Sequence, residues 1–183
     1  FHPEFFGLLT KKIASIPEFQ KTRGALRLLA RVVAHLWQEQ SQWVPMIHTH
    51  HLALGLDKSI TDDLTTRLRR ELMRPAIQAD IYNDSGRLAY SQLQDRDWVD
   101  AGKPHFTSWV SRTIFLHSLT RGTSSGIKTT ELNLSLLMPG FEISFVEQVL
   151  EKLLKVAWYL DFDPITSTYR FKEEPSINKV VAE

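Results

Sequence analysis

The chain has 183 residues, 43% hydrophobic and 23% charged, with 22 Lys+Arg against 21 Asp+Glu. That length supports one large domain or two small ones with a real core. The composition excludes disorder, and a formal net charge of +1 points to no particular class of partner. The absence of cysteine excludes disulfides and thiolate metal sites and makes a reducing, cytoplasmic setting the simpler expectation.

No apolar run approaches the roughly 20 residues that cross a bilayer, so no membrane contact is expected. Phe1-His2-Pro3-Glu4 lacks the basic start and apolar stretch of a signal peptide. The chain begins without Met in an amphipathic stretch. It ends at Asn178-Lys179-Val180-Val181-Ala182-Glu183, which reads as the opening of another element. The expectation is therefore an internal segment of a longer polypeptide. Charge is uneven: the first forty residues carry six basic and three acidic side chains, whereas residues 107–183 carry eight basic and nine acidic.

In chain order, Pro3 to Ile16 reads as a helix with Phe5, Leu8, Leu9 and Ile13 on one face and Lys11 and Lys12 outside it, ended by Pro17. A longer helix spans Thr22 to Gln40, with Ala25, Leu28, Leu29, Val32, Val33 and Leu36 as its apolar face. Beyond Pro45, Met46 to Leu56 reads as a strand. Ser59 and Asp62 suit the capped start of a helix over Ile60 to Met73, stopped by Pro75. Ile77 to Tyr82 alternates like a short strand, Asn83-Asp84-Ser85-Gly86 is a turn, and Gln94 to Phe106 reads as loop.

The last stretch is patterned most clearly. Ser108 to Leu119 and Thr129 to Leu137 are helical, separated by a polar loop from Arg121 to Gly126. Ser144, with Glu147 three residues on, caps a third helix whose buried face is Phe145, Val149, Leu150, Leu153 and Leu154. Trp158 to Phe162 and Thr168 to Phe171 are two strands around Asp163-Pro164. Three helices and then a hairpin is the order of a winged helix-turn-helix. The expected class is mainly α with minor β (α+β), divided into a helical part over 1–43, a mixed part over 44–106 and a winged helix over 107–183.

Arg23, Arg27 and Arg31 recur every four residues and form one basic stripe on a helix. The first two lie near the helix start, where free backbone N–H groups and the helix dipole also attract anions. Gly24 permits close approach of another backbone or a ligand. A solvated basic face is the bland alternative.

Gly24-Ala25-Leu26-Arg27-Leu28-Leu29-Ala30 resembles the G-x-x-R of the sensor-two helix in AAA+ ATPase lid domains. The whole chain is similar to a domain-of-unknown-function family of large predicted AAA+ ATPases of bacteria and archaea. That similarity rests on Phe1-His2-Pro3-Glu4, Ile16 to Ala30, Arg112-Thr113-Ile114-Phe115-Leu116-His117-Ser118, Trp158-Tyr159-Leu160 and Tyr169-Arg170-Phe171. The resemblance implies a lid followed by a winged helix, with Arg27 reaching a nucleotide phosphate held on a neighbouring core domain and Arg23 able to share that contact. It implies ATP and Mg in the full-length protein, no cofactor in this segment, and partners in the ATPase core of the same polypeptide and other protein subunits. Family members are often encoded near DNA methyltransferases, which implies a restriction or phage-defence system.

The segment itself reads as non-enzymatic. Its nearest approach to a P-loop, Gly122-Thr123-Ser124-Ser125-Gly126-Ile127-Lys128-Thr129, has Ile127 where the second glycine belongs, and no Walker B run follows. On a strand, His48 and His50 would share a face and two imidazoles there could ligate zinc, with His51 beside them, but no further ligand is evident and no metal is expected. Asp80, Asp84, Asp95, Asp97 and Asp100 read as solvated turns, and His117 as a packed core residue. The alternative function is duplex DNA binding through Lys152, Lys155, Arg170 and Lys172. Against it, Glu147 and Glu151 balance the lysines of the third helix, and the hairpin carries Asp161, Asp163, Glu173 and Glu174.

Overall fold

The computed structural model describes residues 1–39 and 44–176. Eight α-helices and three short strands appear among them, so the chain is mainly helical with minor β. The expected end of the second helix at Gln40, the first part boundary at 43 and the final stretch Asn178–Glu183 lie outside the described residues.

The N-terminal run is helical but changes pitch. Helix α1 (Pro3–Gly7) passes into a π-helical turn over Leu8–Lys12 and a 3-10 turn over Ile13–Ser15. Phe5, Leu8, Leu9 and Ile13 are buried as their spacing requires. Lys12, expected outside that face, instead turns inward. Its ammonium donates to the Gly126 carbonyl and lies 3.4 Å from His117 Nδ1. Pro17 does stop the run, and it also opens a 3-10 turn over Pro17–Phe19. Helix α2 (Lys21–Gln38) follows, with Leu28 and Val32 fully buried.

The middle of the chain departs from the sequence reading. Met46 to Leu56 forms no strand; it contains a 3-10 turn at Thr49–His51. Helix α3 (Lys58–Leu64) is capped by Asp57, whose Oδ1 accepts from Ile60 N, and not by Ser59; it ends well before Met73. Pro75 stops nothing. It sits in the first turn of α4 (Arg74–Ala76), where its missing N–H costs nothing, and the chain runs on through a π-helical turn over Ile77–Ile81 in place of a strand. Helix α5 (Tyr90–Asp100) runs through the first half of the stretch read as loop, and its start is fixed by Gln92 Oε1 accepting from Ala89 N and Asn83 N.

Helix α6 (Phe106–His117) is the central element. Ten of its twelve residues are buried, and it packs against α5, the Thr49–His51 turn, α7 (Thr129–Leu136), α8 (Ile143–Val156) and the strand Thr168–Phe171. An all-round buried helix must satisfy its polar groups internally. Accordingly Thr113 Oγ1 donates to the Trp109 carbonyl, Ser91 Oγ to Ser111 Oγ, and Ser118 Oγ both donates to the Ile114 carbonyl and accepts from Phe171 N. Helix α8 buries the expected face, but its first residue is Ile143, and Ser144 makes no cap to the helix backbone.

The sheet holds β1 (Ile127–Lys128), β2 (Leu160–Asp163) and β3 (Thr168–Phe171), antiparallel and ordered β1-β3-β2. Leu160 opposes Phe171 and Phe162 opposes Tyr169, as alternation along a hairpin demands. Gly126 admits β1 to β3 because a Cβ there would lie 2.6 Å from the Tyr169 carbonyl. Buried apolar side chains from residue 5 to residue 171 form one continuous cluster, which crosses both expected boundaries. Among the described residues no helix is long and apolar enough to cross a membrane.

Candidate phosphate-sensing site

The position of α2 is set by glycine. A Cβ on Gly24 would stand 1.9 Å from the Phe19 carbonyl oxygen, so only glycine lets the Pro17–Phe19 turn fold back on the helix. Gln20, at the helix start, is left-handed with φ of 61°. This close approach orients the face that carries the arginines.

Three guanidinium groups meet on one carboxylate. Arg27 Nε donates to Asp63 Oδ2 at 3.2 Å, Arg31 Nε to the same oxygen at 2.6 Å, and Arg67 Nε to Oδ1 at 2.9 Å. The Asp63 side chain is 4% exposed, whereas the arginines above it are 22%, 34% and 47% exposed in the same order. The carboxylate thus forms the floor and the guanidiniums the open rim. Three positive charges against one negative leave a surplus of two at the surface. Further along the same stripe, His35 Nδ1 lies 3.8 Å from Asp57 Oδ2. Arg23 is exposed and makes no ion pair among the described residues, so it stands outside the cluster.

The stripe itself was legible as an i, i+4 pattern. Asp63 and Arg67 were missed as site residues. Their own i, i+4 spacing within one helical turn was available in the sequence, but their meeting with α2 depends on tertiary packing.

The histidines assemble differently from the strand expectation. His2, His48, His50 and Trp109 form a column, with centroid separations of 4.5 Å for His2–His48, 5.3 Å for His48–His50 and 4.4 Å for His50–Trp109. His51 packs beside His50 at 4.3 Å and accepts from His48 N through Nδ1 at 2.9 Å. His48 Nδ1 faces the Ser135 carbonyl at 3.0 Å. Burial pushes His50 well below the ordinary imidazole range, helped by its neighbours His51, His48 and Arg112. Burial likewise takes His51 down to about 4. These imidazoles are neutral stacking groups, and no set of three His, Asp or Glu among the described residues is arranged to hold a metal.

Two of the five acids are structural. Asp80 is fully buried and accepts from Trp158 N at 2.9 Å and Tyr159 N at 2.7 Å, holding the entry to β2. Asp95 accepts from Thr107 N, Ser108 N and Ser108 Oγ at the start of α6, and burial raises its pKa against those bonds. Both correct the solvated-turn reading; Asp84, Asp97 and Asp100 are exposed. His117 is buried beside Lys12, and desolvation followed by that ammonium lowers its pKa to about 3.

Each cation of the DNA alternative faces a carboxylate. Lys152 lies 3.5 Å from Asp97 and Lys155 2.8 Å from Glu151. Arg170 and Lys172 lie 3.8 Å and 2.8 Å from Asp161. The hairpin tip presents Ile165, 94% exposed.

Comparison with protein-family models, with curated proteins and with solved structures returns no match to this chain.

Proposed function

We propose that this chain is the lid and winged-helix portion of a larger AAA+-type ATPase, coupling nucleotide state to contacts with partner proteins. One observation carries the reading: the rim of Arg27, Arg31 and Arg67 above Asp63, with two uncompensated positive charges, offers donors to a terminal phosphate presented by another domain. Arg27 is the sensor, placed by the Gly24 contact. Arg23, at the open start of α2, is an outer contact. ATP and Mg belong to a core domain of the same polypeptide, and this portion is not an enzyme by itself. The resemblance to predicted ATPases encoded near methyltransferases supports a restriction or phage-defence setting in the cytoplasm.

The succession α6-β1-α7-α8-β2-β3 with strand order β1-β3-β2 supports a winged helix as the second unit. Its outward charges are internally paired and its wing ends in an apolar side chain. A protein surface suits such a face better than a line of phosphates.

Replacing Arg27 by Ala in the complete polypeptide tests the reading. ATP turnover falls while the segment keeps its melting temperature; turnover at the wild-type level would remove the sensor assignment.

The second reading, duplex DNA on α8 and the hairpin, draws on the same topology and on the exposure of Lys152, Lys155 and Lys172. Salt-sensitive micromolar binding of duplex DNA by this chain would establish it.

A further inference from the structure

Asp63 has two oxygens and three guanidinium partners, and the three bonds are unequal. Charge-assisted N–H···O bonds are about 2.7–2.9 Å long when fully formed. Arg31 at 2.6 Å occupies Oδ2 and Arg67 at 2.9 Å occupies Oδ1, so both oxygens already have a short partner. Arg27 is the second donor on Oδ2, at 3.2 Å. It is also the least exposed of the three arginines, so it is held in place by packing while being the most loosely bonded.

We propose that Asp63 is a latch on the sensor arginine: it holds Arg27 when no phosphate is present and gives it up to an incoming phosphate oxygen while keeping Arg31 and Arg67. This rests on the phosphate-sensing reading of Arg27 and supplies its regulation. The reason release is permitted is electrostatic. Stripping the partner from a buried carboxylate normally leaves an uncompensated charge, which is strongly unfavourable. Here the departure of Arg27 leaves Asp63 with two cations, so nothing is orphaned. The same release relieves crowding among three like charges, and a doubly charged phosphate cancels the surplus of two. Because Arg27 belongs to α2 and Asp63 to α3, the hand-over removes one tie between two packed helices and so carries the signal into the fold.

The arginine Nε–H resonances of the 183-residue chain report the three bonds separately. On titration with inorganic tripolyphosphate, the Arg27 signal moves saturably while the Arg31 and Arg67 signals hold their positions. Asp63→Asn, which keeps the shape and removes the competing charge, tightens tripolyphosphate binding roughly tenfold, with the melting curve reporting that the variant is folded. Because loss of the carboxylate charge by itself also favours an anion, a merely structural Asp63 is told apart by an Arg27 signal that does not move in the wild-type chain. An unmoved Arg27 signal at millimolar tripolyphosphate overturns the latch, as does a folded Asp63→Asn variant that binds no more tightly than wild type. The wild-type titration decides alone should that variant fail to fold. A loss of ATP turnover in the Arg27→Ala polypeptide together with an unmoved Nε signal defeats the latch and spares the sensor. A moved signal with normal turnover removes the role of Arg27 in ATP turnover and leaves only its exchange between Asp63 and phosphate.

Discussion

Gly24 and Asp63 show how single residues build the site. The glycine admits a backbone carbonyl to 1.9 Å from where a methyl would stand, and the carboxylate below gathers the side chains that the glycine has positioned. Gly24→Ala should therefore destabilise the chain by about 3 kcal/mol, because backbone and not a flexible side-chain end must move. Chemical denaturation measures this, and a loss below about 1 kcal/mol would show that the turn relaxes freely. The need for glycine next to Arg27 was legible as a close-approach position; that its partner is the Pro17–Phe19 turn was not. Asp80 and Asp95 teach the opposite lesson. Asp80 sits in a short apolar run and Asp95 in a charged stretch, and nothing local distinguishes a solvated aspartate from one that receives backbone N–H groups from residues 12 to 79 positions away.

At the scale of elements, the histidine column ties the Thr49–His51 turn to the first residues of the chain and to α6. The buried histidines outside the column, His51 beside it and His117 beside Lys12, give stability a pH dependence of definite sign. His51 and His117 are lowered by burial to about 4 and about 3, from an ordinary imidazole value of about 6.5. The unfolded chain therefore takes up protons first. The stability these groups support is complete above about pH 6.5 and declines as pH falls towards 4 and below. Melting temperature should fall steadily between pH 7 and pH 4, and His117→Phe should flatten that slope. A melting temperature constant over this range would contradict the burial described. The two stretches misread as strands, Met46–Leu56 and Ile77–Tyr82, are short apolar runs in which periods of 2 and 3.6 cannot be told apart. Helix α5 escaped notice because its exposed side is charged and its two fully buried residues, Ser91 and Asp95, are polar, with Tyr90 and Trp98 only partly buried. The starts of long periodic helices such as α2 and α8, by contrast, were placed within a residue or two.

Over the whole molecule, a single apolar cluster joins the arginine-bearing helices to the helices and hairpin at the C-terminal end. Lys12 donating to the Gly126 carbonyl, and Asp80 receiving amides from the entry to β2, are direct polar ties along that route. Local patterning made the helix-helix-hairpin succession at the C-terminal end legible. It did not reveal these ties, because they join residues more than seventy positions apart. The paired surface charges predict that this chain gives no duplex shift in gel assays at 50 mM salt and micromolar protein. A shift that fades as salt rises would transfer the C-terminal unit to DNA recognition. We propose that Arg27 meets a nucleotide phosphate held elsewhere in the polypeptide. Steady-state ATP turnover of the complete polypeptide carrying Arg27→Ala, beside the same polypeptide carrying Arg23→Ala, tests it most directly. The expected result is a loss on the order of a hundredfold for Arg27→Ala and a much smaller one for Arg23→Ala, whereas equal and near-normal turnover in both would contradict it.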